Sequence, residues 1–91
     1  MKLIGFHPDA DAEVTEAAQY YETRNSGLGS DLFVEVERAI DQILTNPEAS
    51  HRIGRRVRRK SLWRFPYNLV YAFHKDRIRI LAFAHQKRRP F

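Results

Sequence analysis

The sequence predicts an α+β fold in which one short strand and two helices precede three strands. Three observations predict it. Apolar residues recur at helical spacing between residues 8 and 45, they follow strand-like patterns after residue 50, and Gly or Pro residues stand at the boundaries. We therefore expect an antiparallel helical hairpin packed on one face of a C-terminal three-stranded antiparallel sheet. A chain of 91 residues is the size of one domain, so residues 1–91 are interpreted as a single domain.

The first strand and the first helix occupy residues 2–24 in this prediction. Lys2 to Phe6 is expected to form the strand, and Pro8 fits the first turn of a helix, where its missing N–H is not needed. The turn-forming segment 25–27 ends this helix. One apolar stripe is predicted along it, made of Ala10, Val14, Ala17, Ala18 and Tyr21.

A second helix is predicted to open at residues 29–31, with Gly29 or Ser30 as the N-cap residue, and to stop at Asn46-Pro47. Because the connection between the two helices is short, we expect them to pack as an antiparallel pair. The apolar stripe of the second helix is expected to consist of Phe33, Val36, Ile40, Ile43 and Leu44.

After residue 50 the pattern predicts strands. Residues 53–60 are basic and contain Gly54, which indicates a loop leading into an edge-like strand around Val57. Pro66 lacks an amide donor and marks a gap before the strand 67–74, and Lys75-Asp76 is the predicted turn into strand 77–85. In this last strand we expect Ile78, Ile80, Ala82 and Ala84 on one face and Arg77, Arg79, Leu81, Phe83 and His85 on the other.

Charge is distributed very unevenly along the chain. Residues 1–50 carry three Lys or Arg against ten acids, a net charge of −7, whereas residues 51–91 carry thirteen against one acid, a net charge of +12. Such a field predicts an acidic or polyanionic partner for the C-terminal half. The alternative is internal: the acidic helices pack on the basic sheet and neutralise it.

Composition also excludes several classes of site. The chain contains no Cys, so it has neither a disulfide framework nor a thiolate ligand or nucleophile. Its four histidines, at positions 7, 51, 74 and 85, lack the close spacing of metal ligands, and we expect no metal and no cofactor. No apolar stretch is long enough for a signal peptide or a membrane span. We therefore expect a cytoplasmic protein that does not contact membranes.

Several ordered segments resemble the RelE/ParE superfamily of toxins from type II toxin-antitoxin systems. Residues 17–33, with Ala17, Tyr20-Tyr21-Glu22, Gly27-Leu28-Gly29 and Phe33, resemble the helical hairpin of these toxins. Residues 65–71, 80–85 and 88–90 resemble their sheet and C-terminal tail. The resemblance implies a growth-inhibiting toxin, of the kind that stabilises plasmids, bound in a hetero-oligomer by a cognate acidic antitoxin that wraps and silences it.

The two branches of this superfamily differ in their targets. RelE-like members cut messenger RNA on the ribosome, whereas ParE-like members inhibit DNA gyrase by binding it. The resemblance to RelE places Arg58, Arg59 and Lys60 where RelE has lysines, and Arg88 where it has a late arginine. Asn68, however, stands where RelE has a central-strand arginine, and the sequence reaches Phe91 without the terminal tyrosine. These departures favour the ParE branch and leave it open whether the chain is an enzyme.

Three functions therefore remain at this point: a gyrase-binding toxin, a metal-independent endoribonuclease that acts on ribosome-bound mRNA, and a non-toxic nucleic-acid-binding or interaction domain. A ribonuclease would draw its catalytic groups from His85, Arg88 and Lys60, although His85 could instead bond to loop backbone at a strand end. The basic and aromatic surface could bind nucleic acid, could be a solvated edge strand, or could bind the antitoxin. The residues expected to bind the target or the antitoxin are Arg58, Arg59, Lys60, Trp63, Arg64, Phe65, Lys87, Arg88 and Arg89.

Overall fold

The structure is a computed structural model that describes residues 3–87. It confirms the α+β fold and the predicted order of one strand, two helices and then further strands. The elements are β1 (Leu3–Phe6), α1 (Pro8–Arg24), α2 (Leu28–Thr45), β2 (His51–Gly54), β3 (Val57–Ser61), β4 (Tyr67–His74) and β5 (Arg77–His85). None of the helices in these residues is both long enough and apolar enough to cross a bilayer.

All five strands form one sheet in the order β1-β5-β4-β3-β2, in which β1 runs parallel to β5 and the other neighbours are antiparallel. The predicted count of three C-terminal strands was too low. Residues 51–61 form a hairpin, β2–β3, where the sequence had indicated a loop and one strand. Arg56 adopts a positive φ of 63° in its turn, a conformation usually taken by Gly or Asn, so the turn carries no sequence signal.

Helix α1 follows the prediction. The imidazole Nδ1 of His7 caps the helix by accepting from the amide of Asp9 at 3.0 Å, and Pro8 occupies the first turn. The predicted stripe is buried at Ala10, Val14, Ala17 and Ala18, and Tyr21 packs against the core. This stripe therefore fixes which face of α1 meets the sheet.

Helix α2 begins earlier than predicted, after Gly27, which has a φ of 90°. The predicted stripe was wrong at Phe33, which is 44% exposed, and correct at Val36 and Ile43. The inward face of α2 runs along positions 29, 32, 36, 39 and 43, so that Leu32 rather than Phe33 faces the core in the first turns. Glu35 lies on this inward face, where the prediction placed only apolar residues.

The alternation predicted for β5 was wrong after Leu81. The register between β4 and β5 pairs Val70 with Ala82 and Tyr71 with Ile80, which leaves Leu81 as an extra residue in a β-bulge. Phe83 consequently turns to the helix side and joins the core, while Ala82 moves to the opposite face. The predicted turn at Lys75-Asp76 is present.

The two sides of the sheet have different surroundings. On the helix side, Leu69, Tyr71, Ile78, Ile80 and Phe83 form the centre of the core beneath α1 and α2. We call the opposite side the open face. The strand register places on it three rows of residues that run across β3, β4 and β5: Ser61, Asn68 and Ala84; Arg59, Val70 and Ala82; and Val57, Ala72 and Arg79.

Candidate partner-binding surface

The loop between β3 and β4 presents Trp63 to solvent. Leu62 and Phe65 are buried on either side, while Trp63 is 89% exposed. The carboxylate of Glu35, which is 8% exposed, accepts hydrogen bonds from the amides of Trp63 and Arg64, the latter at 2.9 Å to Oε2. Two amides bound to one buried carboxylate fix the loop backbone against α2. The exposed indole is therefore carried on a well-anchored loop.

A groove separates α2 from β3 and the start of β2. Two adjoining cavities, of about 600 and 370 Å³, share Arg38, Gln42, Lys60 and Ser61 and so form one continuous depression, the α2–β3 groove. Trp63 stands at one end and His51 at the other. The remaining lining residues are Glu35, Ala39, Asp41, Thr45, Asn46, Ala49, Ser50, Arg59 and Leu62.

The charges in this groove are mostly positive. Within residues 3–87, neither Arg38 nor Lys60 makes a hydrogen bond or an ion pair through its side chain. Of the two acids in the lining, Glu35 is bound to loop amides and Asp41 stands among the cations. Lys60 lies beside Leu69 in the strand register and therefore points to the helix side, into the groove. Two cations without a described partner thus face an open groove.

The open face is a second basic surface. Arg59 and Arg79 flank Val70 and Ala82 in neighbouring rows of the sheet, and both arginines are exposed. Asn68 lies on the same face between Ser61 and Ala84, and its buried Oδ1 has no hydrogen-bond partner in the described part of the chain. The predicted basic patch is therefore divided: Lys60 and Trp63 lie at the groove, whereas Arg59 alternates to the open face and only borders the groove.

Three of the predicted binding residues have structural contacts. Arg58 donates from one guanidinium nitrogen to the carbonyls of Glu48 and Ser50, both at 2.9 Å. Phe65 is 4% exposed and packs against Tyr21. Arg64 pairs with Asp31 at 3.5 Å. Arg88 and Arg89 lie outside the described residues.

His85 lies in a different cleft, between α1 and the ends of β4 and β5, together with Glu13, Glu16 and Lys87. Its Nδ1 accepts from the amide of Lys87 at 3.1 Å. Neutral His85 therefore carries its proton on Nε2, and its free nitrogen is a donor rather than a base. Lys60 lines the α2–β3 groove and not this cleft. The two described candidates for ribonuclease catalysis thus lie in separate cavities.

Aromatic side chains form one wall of the cleft that contains His85. Tyr67 stacks on Phe83 with ring centroids 4.5 Å apart and meets His85 edge to face. Burial raises the pKa of Tyr21, and the neighbouring Tyr67 and Tyr20 raise it further, so its phenol stays protonated at physiological pH. The rings of Tyr21, Tyr67 and Phe83 belong to the core or pack against it. In residues 3–87, no group of three or more His, Cys, Asp or Glu residues could hold a metal ion.

Sequence comparison identifies the family. The family described as ParE toxin of the type II toxin-antitoxin system, parDE, matches residues 4–90. The chain belongs to the ParE toxin family. No curated protein sequence matches it. Among solved structures, a chain of the chromosomal ParDE toxin-antitoxin system from P. aeruginosa is similar, with a TM-score of 0.70, 18% identity, and coverage of 93% of this chain and 96% of that one.

The isolated E. coli RelE toxin is also similar, with a TM-score of 0.69, 20% identity, and coverage of 99% of this chain and 89% of that one. At these identities both structures support the shared fold, and the assignment to the ParE toxin family rests on the match over residues 4–90. The resemblance drawn from the sequence to the RelE/ParE superfamily, and to its ParE branch, is thereby confirmed.

Two residues at the groove of this ParE toxin family member were not predicted, Glu35 and Arg38. The sequence contained a signal that Glu35 has a structural role. It stands among Leu32, Val36 and Ala39 on the inward stripe of α2, and an acid in such a position needs a buried hydrogen-bond donor. The sequence around Arg38 does not distinguish it from other exposed helix residues. Its place at the groove depends on how α2 packs beside β3, which local sequence does not encode.

Proposed function

We propose that this ParE-family toxin is neutralised by a cognate acidic antitoxin and that, when free, it inhibits DNA gyrase by binding it in the cytoplasm. The observation that supports neutralisation by an acidic antitoxin is the unpaired positive charge of the C-terminal half. In residues 51–87 there are eleven Lys or Arg and one acid, yet within residues 3–87 Arg64 alone among these cations pairs with a carboxylate of the helices. Internal neutralisation by the acidic helices therefore does not account for the charge, and an acidic partner does.

Inhibition by binding, rather than by RNA cleavage, is supported by the chemistry of the open face. Cleavage requires cations close to the phosphate that gains charge. Asn68 is uncharged and lies on this face near the start of β4, between Ser61 and Ala84. His85 is bonded to the Lys87 amide in another cleft. Within residues 3–87, therefore, no base, acid and phosphate-binding cations come together in one place. A basic surface of this kind is suited to binding the surface of another protein.

Expression of the chain alone in bacteria tests this proposal. We expect growth arrest with loss of negative supercoiling in a reporter plasmid, and inhibition of purified gyrase by the purified chain. We also expect that co-expression of a short acidic protein from the adjacent reading frame restores growth. Arrest with normal supercoiling and normal DNA replication would exclude gyrase as the target. The absence of any arrest would favour the non-toxic interaction domain.

A metal-independent endoribonuclease remains a second candidate, because Arg59 lies on the open face in the row next to Ser61 and Asn68. In this candidate Lys60, His85 and Arg88 stay predicted catalytic groups. Primer extension on translated messages during growth arrest distinguishes the two functions. Cuts within codons would favour the ribonuclease, and intact messages would exclude it.

A further inference from the structure

We propose that the α2–β3 groove binds an extended, acidic segment of the antitoxin, which pairs with the backbone of Ser61 and places an apolar side chain beside Trp63. This inference rests on the proposed function, because the occupant is the acidic partner proposed there. It assigns that partner to one of the two basic surfaces and leaves the open face free.

The first support is a free stretch of strand edge. In an antiparallel strand, the N–H and C=O of successive residues point to opposite sides. The amide of Leu62 donates to the carbonyl of Tyr67 on the β4 side, so the N–H and C=O of Ser61 point away from β4. On that side the β2–β3 ladder ends at the pair His51 and Arg59. Ser61 thus offers one donor and one acceptor to an added strand.

The charges around this edge favour acidic side chains on the added strand. Arg38 comes from α2 and Lys60 from β3, so the two cations stand on opposite walls of the groove. An extended segment lying between them would bring carboxylates to both. Because Asp41 lines only the cavity that reaches His51, the segment should carry its acids between Arg38 and Lys60, in the part that the two cavities share.

The end of the groove at Trp63 is suited to an apolar side chain. Ala39 and Leu62, which are 4% and 5% exposed, line the cavity of about 370 Å³ there, and Trp63 forms its wall. Glu35 holds the amide of Trp63, so this wall is preformed. An exposed aromatic residue on an anchored loop is typical of an interface anchor. From Glu35 to Asn46 the groove runs about 16 Å along α2, which accommodates about five extended residues.

The backbone edge distinguishes a peptide from a nucleic acid. An adjacent N–H and C=O match the main chain of a strand, whereas a phosphate backbone offers acceptors only and would meet the carbonyl of Ser61 and the carboxylate of Asp41. We therefore assign the groove to a protein segment. The apolar lining at Ala39 and Leu62 supports the same choice.

The experiment measures the affinity of the purified chain for the protein encoded by the adjacent reading frame. The variants are Arg38→Glu, Lys60→Glu, Trp63→Ala and Ser61→Pro, of which the last removes the free N–H of an edge residue and also fixes the φ angle of residue 61. We expect each to weaken binding on the order of tenfold or more. Arg55→Glu is the matched control, since it makes the same charge change at an exposed turn outside the groove, and its affinity should stay within about twofold of the wild type. Thermal unfolding of every variant verifies that it is folded.

The outcomes separate the two proposals. If the wild-type chain binds this protein and the folded groove variants bind as tightly, the groove assignment is overturned while the proposed pairing stands. If the wild-type chain does not bind it, the proposed pairing fails and the groove assignment fails with it. If the groove variants instead lose affinity for a single-stranded oligonucleotide and keep it for the protein, the groove is a nucleic-acid site and our assignment is wrong.

Discussion

Neighbouring residues of β4 lead to two different environments. Leu69 and Tyr71 point to the helix side, where both are fully buried in the core cluster, whereas Asn68 and Val70 point to the open face; Val70 is buried there, 5% exposed, but does not belong to that cluster. The helix side therefore carries the stability of the fold. The open face and the α2–β3 groove carry exposed cations, among them Arg59, Arg79 and Arg38. The alternation of β4 thus separates the apolar side of the sheet from its basic side.

Polar groups on the helix side bind backbone atoms of the loops at both ends of the groove. Glu35 accepts from the loop amides at Trp63 and Arg64. At the other end, the hydroxyl of Tyr71 donates to the carbonyl of Pro47 at 2.6 Å, and Arg58 donates to the carbonyls of Glu48 and Ser50. The two loops that bracket the groove are therefore anchored in the core. A groove with anchored ends is preformed, which lowers the entropy lost on binding.

The largest expected effect tests where the core lies. Leu69→Ala should lower the free energy of unfolding by about 2–5 kcal/mol, because it leaves a cavity in the centre of the helix side. Val70→Ala, on the open face of the same strand, should cost less. Urea denaturation of both variants measures the difference. Equal losses would show that the open face is as much a part of the core as the helix side.

The next effect tests the anchoring of the Trp63 loop. Glu35→Gln should lower the free energy of unfolding by about 1.5–3 kcal/mol, because a charged acceptor for two amides is lost at a buried position. Hydrogen exchange at the amides of Trp63 and Arg64 should become faster. Glu37→Gln, on the exposed face of the same helix, is the control and should change stability by less than about 0.5 kcal/mol. Unchanged exchange in Glu35→Gln would mean that the loop is held by Leu62 and Phe65 alone.

The opposite end of the groove should respond more weakly. Tyr71→Phe removes the hydroxyl that donates to Pro47 and should cost about 1–1.5 kcal/mol, since it leaves a carbonyl of a buried residue without its donor and creates no large cavity. Denaturant unfolding measures the loss. A loss as large as that of Leu69→Ala would indicate that the hydroxyl organises the loop at residues 46–50 as a whole.

The elements with a regular local pattern were predictable. The stripe of α1, the turn at Lys75-Asp76 and the strand 67–74 follow from apolar spacing and turn chemistry, which act within a few residues. The start of α2 was missed because Gly27 caps it without a side-chain signal. The bulge at Leu81 was missed because one additional residue in a strand leaves no mark in composition, yet it exchanges the faces of Ala82 and Phe83.

The candidate site was only partly predictable, for a related physical reason. Lys60 and Trp63 were predicted from charge and aromatic character, which are properties of single residues. Strand alternation places Arg59 on the face opposite to Lys60. Arg38 joins the groove because α2 packs beside β3. Arg58 and Phe65 could not be separated from the true surface residues, because burial and backbone contacts of this kind are made by residues distant in the sequence.

Glu22, like Glu35, binds two backbone amides, but it is exposed, and we expect its contribution to stability to be smaller and to depend on pH. Glu22 accepts from the amides of Gly27 and Gly29 in the turn between the helices, and these hydrogen bonds lower its pKa. A lowered pKa in the folded state adds stability above the unfolded pKa and loses it as the pH falls through the folded pKa. Glu22→Gln should therefore destabilise the protein at neutral pH, and the difference should vanish in acid. Urea unfolding at several pH values, with Glu16→Gln as the control, measures this effect. A difference that persists unchanged in acid would contradict it.

The smallest effect is expected on the open face, at Asn68. Its buried Oδ1 has no hydrogen-bond partner in residues 3–87, so this oxygen is already desolvated without compensation. Removing such a group should be nearly neutral, in contrast to Tyr71→Phe, which breaks a satisfied bond. We expect Asn68→Ala to change the free energy of unfolding by no more than about 0.5 kcal/mol in either direction. A loss above 1 kcal/mol in denaturant unfolding would mean that Asn68 is part of a polar network, and the open face would then contribute to the stability of the fold as the helix side does.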